Sequence, residues 1–316
     1  MLNQHQIEQF NKQGYLVVEN VLDSNHLQAI NDEYSARMDE LYQHWYSEGF
    51  LSTPPKGLSF WEKLNLCYNA SGFDWFQPFD ISLPGEDIRE DTPMHFGPAI
   101  FNIVRNENLL DIIESLIGPE ITSNPIQHVR IKPPEGLLPQ GEIRAHITAT
   151  DWHQDRGVGH AESDNTDMIT AWIAITDATV ENGCLQVIPG PHSKILPHCP
   201  KVQTAIADEF IEESTAVPLP VKAGGVVLFH PLTPHASLSN TSGGFRWSFD
   251  LRYNITGQPT GRAHFPEFIA RSKADSASEL RNWQEWKQLW EAARVRVAKA
   301  PHIDQHRWRS DSPFCA

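Results

Sequence analysis

Arg246-Trp-Ser-Phe-Asp-Leu-Arg-Tyr253 is the stretch on which the reading of this chain turns. Side chains alternate sides along a β-strand, so Trp247, Phe249, Leu251 and Tyr253 share one face, and Arg246, Ser248, Asp250 and Arg252 the other. The apolar face suits helices packed outside a barrel. The polar face then looks into an interior, and a buried polar face needs a reason, because polar groups taken from water without partners are costly. An inward arginine supplies one: its planar fork grips a carboxylate through two parallel hydrogen bonds. The plainer alternative is an Arg246–Asp250 or Asp250–Arg252 pairing with no ligand.

Around this strand lie other short runs of strand-forming residues, at 126–131, 167–176, 184–188 and 226–229. Turn-formers separate them: Pro133-Pro134-Glu135-Gly136, Glu181-Asn182-Gly183, Pro189-Gly190-Pro191 and Ser242-Gly243-Gly244. Many short strands with tight turns predict a mainly β fold, a barrel or jelly roll, with helices at its flanks. Those helices are legible too. Gln13-Gly14 closes a first one, and Tyr15-Leu-Val-Val18 follows as a strand. Asp23 or Ser24 caps a second, with Leu27, Ile30, Tyr34, Met38 and Leu41 at helical spacing. Asn108 begins another through Leu109, Ile112, Ile113 and Leu116, stopped by Gly118-Pro119. Leu280, Trp283, Trp286 and Trp290 place the last between about 278 and 297. The Pro- and Gly-rich stretch 49–97 reads as an irregular packed wrap rather than a lid. One domain over 1–316 results, with mostly helical support to 120, a β core over 121–256, and a C-terminal helix and tail beyond.

The chain has 316 residues, 40% hydrophobic, enough for one sizeable core. No run of eighteen apolar residues offers a membrane span, and MLNQHQIEQF has neither a basic start nor an apolar signal core, so a cytoplasmic protein is expected. A formal net charge of −15 argues against nucleic acid and anionic membranes as partners. Cys67, Cys184, Cys199 and Cys315 form no close pair, and they are read as separate buried or incidental thiols.

The chemistry centres on Thr150-Asp-Trp-His-Gln-Asp155. If this is strand, His153 and Asp155 lie two apart on one face and reach one metal. Phe229-His-Pro-Leu-Thr-Pro-His235 offers the third ligand. Two imidazoles and one carboxylate, arranged facially, leave positions open for a bidentate 2-oxo acid and O2, the donor set of non-haem Fe(II) oxygenases. A zinc hydrolase uses similar ligands, but a helical HExxH is absent and an inward arginine lies eleven residues past His235. A non-catalytic cupin-like sensor needs no open metal, and a halogenase of this kind lacks the carboxylate that Asp155 provides.

Taken together, several segments give the chain a family likeness. Trp152-His-Gln-Asp155, the segment from Ala171 through Asn182-Gly-Cys-Leu-Gln-Val-Ile-Pro-Gly-Pro-His192, and His235-x-Ser237 with Arg246 resemble the phytanoyl-CoA dioxygenase family. So do Gly14–Leu22 and Leu116–Ile121, and the likeness runs with gaps from about 5 to 255. The resemblance implies a double-stranded β-helix with Fe(II) at His153, Asp155 and His235. It also implies 2-oxoglutarate with its distal carboxylate on Arg246, Ser237 beside it and Trp172 packed along it. A further co-substrate contact falls on the strand before Lys132-Pro-Pro134, at Gln127 or His128, which face opposite sides. Cys184 and His192 read as structural. Arg156 and His160, on the loop after Asp155, border the substrate pocket.

The implied activity oxidises a C–H bond, most simply to an alcohol, with succinate and CO2 as co-products; desaturation or cyclisation needs only another substrate pose. A small metabolite or natural-product intermediate is the expected substrate rather than an acyl-CoA. Acidic residues outnumber basic ones 40 to 25, and the loop after Asp155 adds Glu162, Asp164 and Asp167 near the expected entrance. Arg130, Lys132 and Arg144 are the residues from which a CoA site would have to be built.

Overall fold

The computed structural model describes residues 1–71, 76–137, 149–200, 203–300 and 307–315; Arg144 lies outside them. In chain order come α1 (Gln4–Gln13), β1 (Tyr15–Val18), α2 (Ser24–Ser47), α3 (Phe60–Ser71), α4 (Pro98–Val104), α5 (Glu107–Ile117) and β2 (Glu120–Lys132). Then follow α6 (Asp155–Val158), β3 (Met168–Ala174), β4 (Leu185–Val187), β5 (His198–Pro200), β6 (Thr204–Ile206), β7 (Val217–Leu219), β8 (Val226–Phe229) and β9 (His235–Ser237). The chain closes with β10 (Arg246–Ile255), β11 (Phe268–Ser272) and α7 (Trp283–Lys299).

Six strands form an antiparallel sheet in the order β1-β8-β3-β10-β2-β11, and β7-β4-β9 form a smaller one. The alternation in β10 is realised as read. Trp247, Phe249, Leu251 and Tyr253 join the main core with Tyr34 of α2, Ile113 of α5 and Trp286 of α7. The Tyr34 and Trp247 rings lie 5.0 Å apart, and the Tyr253 hydroxyl donates to the Val104 carbonyl at 2.8 Å. Each such side chain, once fully buried, contributes about 1.5–3 kcal/mol relative to exposure. On the other face, a second cluster that includes Trp172, Leu185, Val187, Leu219 and Phe229 joins the large sheet to the small one.

Register fixes what looks inward. Across β10 and β2, Arg246 stands opposite Lys132, Ser248 opposite Arg130 and Asp250 opposite His128; across β10 and β3, Arg252 stands opposite Thr170. Charged residues from β2 and β10 therefore share the face that meets the small sheet.

Helix ends follow local chemistry. Gly14, at φ 76°, ends α1, and an added Cβ there would lie 2.3 Å from the Thr233 hydroxyl. Asp23 caps α2 through the Asn25 and His26 amides. Asn106, not Asn108, caps α5, through the Leu109 amide. The stretch 49–97 is more regular than expected. It contains α3, which buries Leu64, Cys67 and Tyr68 and packs on α2, and downstream Asp80 and Ile81 are pinned to β2 by the Val129 amide and the Gln127 side chain.

One expectation is overturned. Cys199 of β5 and Cys315 of the tail are joined in a disulfide, with Cα atoms 5.4 Å apart, whereas Cys67 and Cys184 are buried free thiols. The partners are 116 residues apart, so only the fold, not local spacing, brings them together. No helix among the described residues is long and apolar enough to cross a membrane.

Candidate active site

Two backbone hydrogen bonds clasp the imidazole-bearing segments: the His153 amide donates to the His235 carbonyl at 3.0 Å and the His235 amide to the His153 carbonyl at 2.9 Å. This isolated antiparallel bridge sets the two rings 4.2 Å apart. Asp155 joins them differently from the expected all-strand arrangement. Gln154 is extended, and Asp155 is the first residue of α6, so one extended residue followed by a helical turn brings the carboxylate round. Gln154 is wholly buried, and its amide oxygen accepts from the Leu196 amide while its nitrogen donates to the Lys194 and Leu232 carbonyls. Those bonds lock the bend.

The Nε2 atoms of His153 and His235 lie 3.8 and 3.9 Å from the Asp155 oxygens, and one ligand atom from each residue lies within 4.8 Å of the others. Each ring turns its Nδ1 to a carbonyl of its own segment: His153 to Asp151 at 2.8 Å and His235 to Thr233 at 3.0 Å. With Nδ1–H donating there, the Nε2 lone pair faces the shared point, the usual second-neighbour arrangement around a metal. Phe229 stacks on His235 with centres 4.5 Å apart. Burial and the neighbouring His235 push His153 down to about 3, so it stays neutral and able to ligate. Burial acts to raise Asp155, but the Arg252 guanidinium, both imidazoles and the Thr170 hydroxyl outweigh it and hold the carboxyl well below its usual range. Two imidazoles and an ionised carboxylate, converging on one point, fit Fe(II).

The same cavity runs to Arg246, Lys132, Ser237 and Trp172. Arg246 donates Nη1–H to the Gly183 carbonyl at 2.7 Å, lies 5.1 Å from the Trp172 ring centre, and leaves its buried Nε without a partner. Lys132 donates to Ser237 Oγ at 2.7 Å and to the Leu238 carbonyl at 2.6 Å. Ser237 Oγ also accepts from the Thr150 amide at 2.8 Å. Burial and the nearby Arg130 push Arg246 down to about 9; burial, Arg246 and Arg130 lower Lys132 well below its ordinary value. Neither cation has a carboxylate within ion-pair distance among the described residues.

Other expected site residues lie elsewhere. Gln127 points to the outer side of β2 and donates to the Ile81 carbonyl, so it is turned away from the cavity. His128 faces inward but is paired with Asp80 at 3.0 Å, and neither residue lines the cavity that holds Arg246. Arg156 donates its guanidinium to the Ser163 and Thr166 carbonyls, tying down the loop after Asp155. His160 sits on that loop with its ring 6.2 Å from His264. Three residues of the site were missed: Lys132 and Thr170, which line the cavity, and Arg252, which holds Asp155. Lys132 had a sequence cue, since it closes a strand before Pro133-Pro134 and falls on the same alternation as Arg130.

Residues 115–248 match the family model described as phytanoyl-CoA dioxygenase (PhyH), a span that holds all three triad residues and Arg246. The chain is 26% identical over 267 residues to phytanoyl-CoA dioxygenase domain-containing protein 1 of Danio rerio, covering 77% of this chain and 86% of that one. Among solved structures it is similar to apo ThoJ, a non-heme monooxygenase, with a TM-score of 0.58, 19% identity and 93% and 98% of the two chains covered. It is also similar to the epimerase SnoN in complex with Fe3+, alpha ketoglutarate and nogalamycin RO, with a TM-score of 0.52, 20% identity and 82% and 87% covered. Fold, donor set and matched domain define a non-haem iron, 2-oxoglutarate-dependent oxygenase. Within that class, the chain is similar to phytanoyl-CoA dioxygenases, the family whose model residues 115–248 match.

Proposed function

We propose that this enzyme oxidises, most simply hydroxylates, an unactivated C–H bond of a small metabolite or natural-product intermediate within a double-stranded β-helix. His153, Asp155 and His235 hold the iron. Bound iron, with 2-oxoglutarate and O2, supplies the oxidising power, and succinate and CO2 are the co-products. Arg246 receives the distal carboxylate of 2-oxoglutarate, with Lys132 and Ser237 donating beside it and Trp172 flanking it. The observation that carries this reading is the pair of buried cations, Arg246 and Lys132, satisfied only by neutral acceptors among the described residues. A buried charge without an opposite partner is costly, and an arriving carboxylate removes that cost. Ser237 Oγ accepts two hydrogen bonds, so its own proton is available to the same carboxylate.

A non-CoA substrate is supported by where the basic residues go. Lys132 and Arg130 line the interior cavity, where Arg130 pairs with Asp250 at 3.3 Å, so neither supplies a polyphosphate site on the surface. The experiment is succinate formation by iron-loaded protein across acyl-CoAs, their free acids and unrelated small metabolites. Stimulation by a free metabolite with matched product is expected; tight coupling to a CoA thioester alone would overturn the substrate reading.

A further inference from the structure

We propose that Arg252 and Thr170 are positioning residues that engage both oxygens of Asp155 and restrict it to a one-oxygen metal ligand. The proposal rests on the reading of His153, Asp155 and His235 as the metal centre. Asp155 is 1% exposed. Its Oδ1 accepts from Arg252 Nη2 and its Oδ2 from Thr170 Oγ1. These donors stand directly opposite one another on β10 and β3, so they come from one rung of the large sheet. The guanidinium is fixed in turn: Nη1 donates to the Ile126 carbonyl at 3.1 Å and lies 3.7 Å from Asp250.

The centre is thus assembled from two sides. The His153–His235 bridge belongs with the small sheet, whose β9 carries His235, while the orientation of Asp155 is set by the large sheet. A carboxylate has about four lone-pair directions over its two oxygens. With a donor on each oxygen, one oxygen can still turn a lone pair toward the imidazoles, but symmetric chelation through both would break one of the bonds. Chelation would also take up a coordination position that a two-pronged 2-oxo acid or O2 needs. Arg252 and Thr170 therefore act through Asp155 to keep those positions open.

The test is titration of metal-free protein with Co(II), read by affinity and by visible d–d absorption, for wild type, Arg252→Met, Arg252→Lys, Thr170→Val and Thr170→Ser. Arg252→Met and Thr170→Val should weaken Co(II) binding about 10–100-fold, the usual range for loss of a residue that orients a ligand. Their bands should lose intensity as Asp155 becomes bidentate and the coordination number rises. Thr170→Ser should restore wild-type behaviour and Arg252→Lys part of it. Thr170→Val removes only a hydroxyl, so it carries the test if Arg252→Met does not fold. Folded variants with wild-type affinity and spectrum, even if less heat-stable, would overturn the proposal and leave the metal centre standing. A wild type that binds no Co(II) would overturn the metal centre and the proposal with it.

Discussion

The two ends of the cavity handle buried charge in opposite ways. At the metal end Asp155 is met by Arg252, which also lies near Asp250, and Asp250 is reached by Arg130. At the other end Arg246 and Lys132 have, among the described residues, only carbonyls and a hydroxyl. The first end is complete in protein groups and needs only a cation among its three ligands. The second is complete only when an anion arrives. On the proposed reading, the contrast separates a preorganised metal cage from a binding site whose last partner is the co-substrate.

The largest effect should come from breaking the metal end. His153→Ala, Asp155→Ala or His235→Ala should each weaken iron binding by more than about a hundredfold, beyond what loss of an orienting neighbour does, and end 2-oxoglutarate turnover. Metal titration and succinate assays check this, and a variant with wild-type affinity removes that residue from the ligand set. At the open end the effect should be smaller. Arg246→Ala or Lys132→Ala removes a charge-assisted contact worth about 1.5–3 kcal/mol, roughly ten- to a hundredfold in the 2-oxoglutarate Kd by calorimetry, with metal affinity unchanged. Arg246→Lys should fall between, because an ammonium lacks the planar fork.

Acid probes the metal end without mutation. Burial first, and then His235, push His153 down to about 3, and burial pushes His198, which accepts from the Gln154 amide, down to about 4. Both take a proton near pH 6.5 when unfolded. Their stabilising contribution is therefore full above about pH 6.5 and declines as pH falls toward those values, by up to about 1.4 kcal/mol per pH unit for each. Asp80, pushed up to about 7 by burial, works in the opposite direction between about pH 7 and 4 and offsets one of them. The metal-free protein should thus unfold at lower denaturant at pH 5 than at pH 7; an equal or higher midpoint at pH 5 contradicts this. Ser237→Ala should have the smallest effect, a few-fold in 2-oxoglutarate Kd, as for one neutral hydrogen bond.

The difference between the two ends also marks how far sequence reasoning reaches. Period-two alternation in 246–253 placed Trp247, Phe249, Leu251 and Tyr253 on the core face, because that face is apolar throughout. The triad was legible because His153 and Asp155 lie close in sequence, although the path between them is a turn and not a strand. Thr170 was illegible as a site residue because its role depends on register, opposite Arg252, and the cue at Lys132 became a role only through its register opposite Arg246. Arg252 was placed inward and lies near Asp250, but its bond to Asp155 depends on how the distant segment 153–155 packs against β10. The same limit hid the Cys199–Cys315 disulfide. In 60–71 and 98–104, helical spacing was present but masked by the prolines and glycines around it.

The most direct test of the account is a comparison of 2-oxoglutarate with 2-oxobutyrate, which lacks the distal carboxylate, by calorimetry on metal-loaded wild type and Arg246→Ala. Wild type should prefer 2-oxoglutarate by roughly ten- to a hundredfold, and most of that preference should vanish in Arg246→Ala while 2-oxobutyrate binds both proteins alike. A preference that survives the substitution intact would contradict the assignment of Arg246 and the idea that the open end of the cavity awaits a carboxylate.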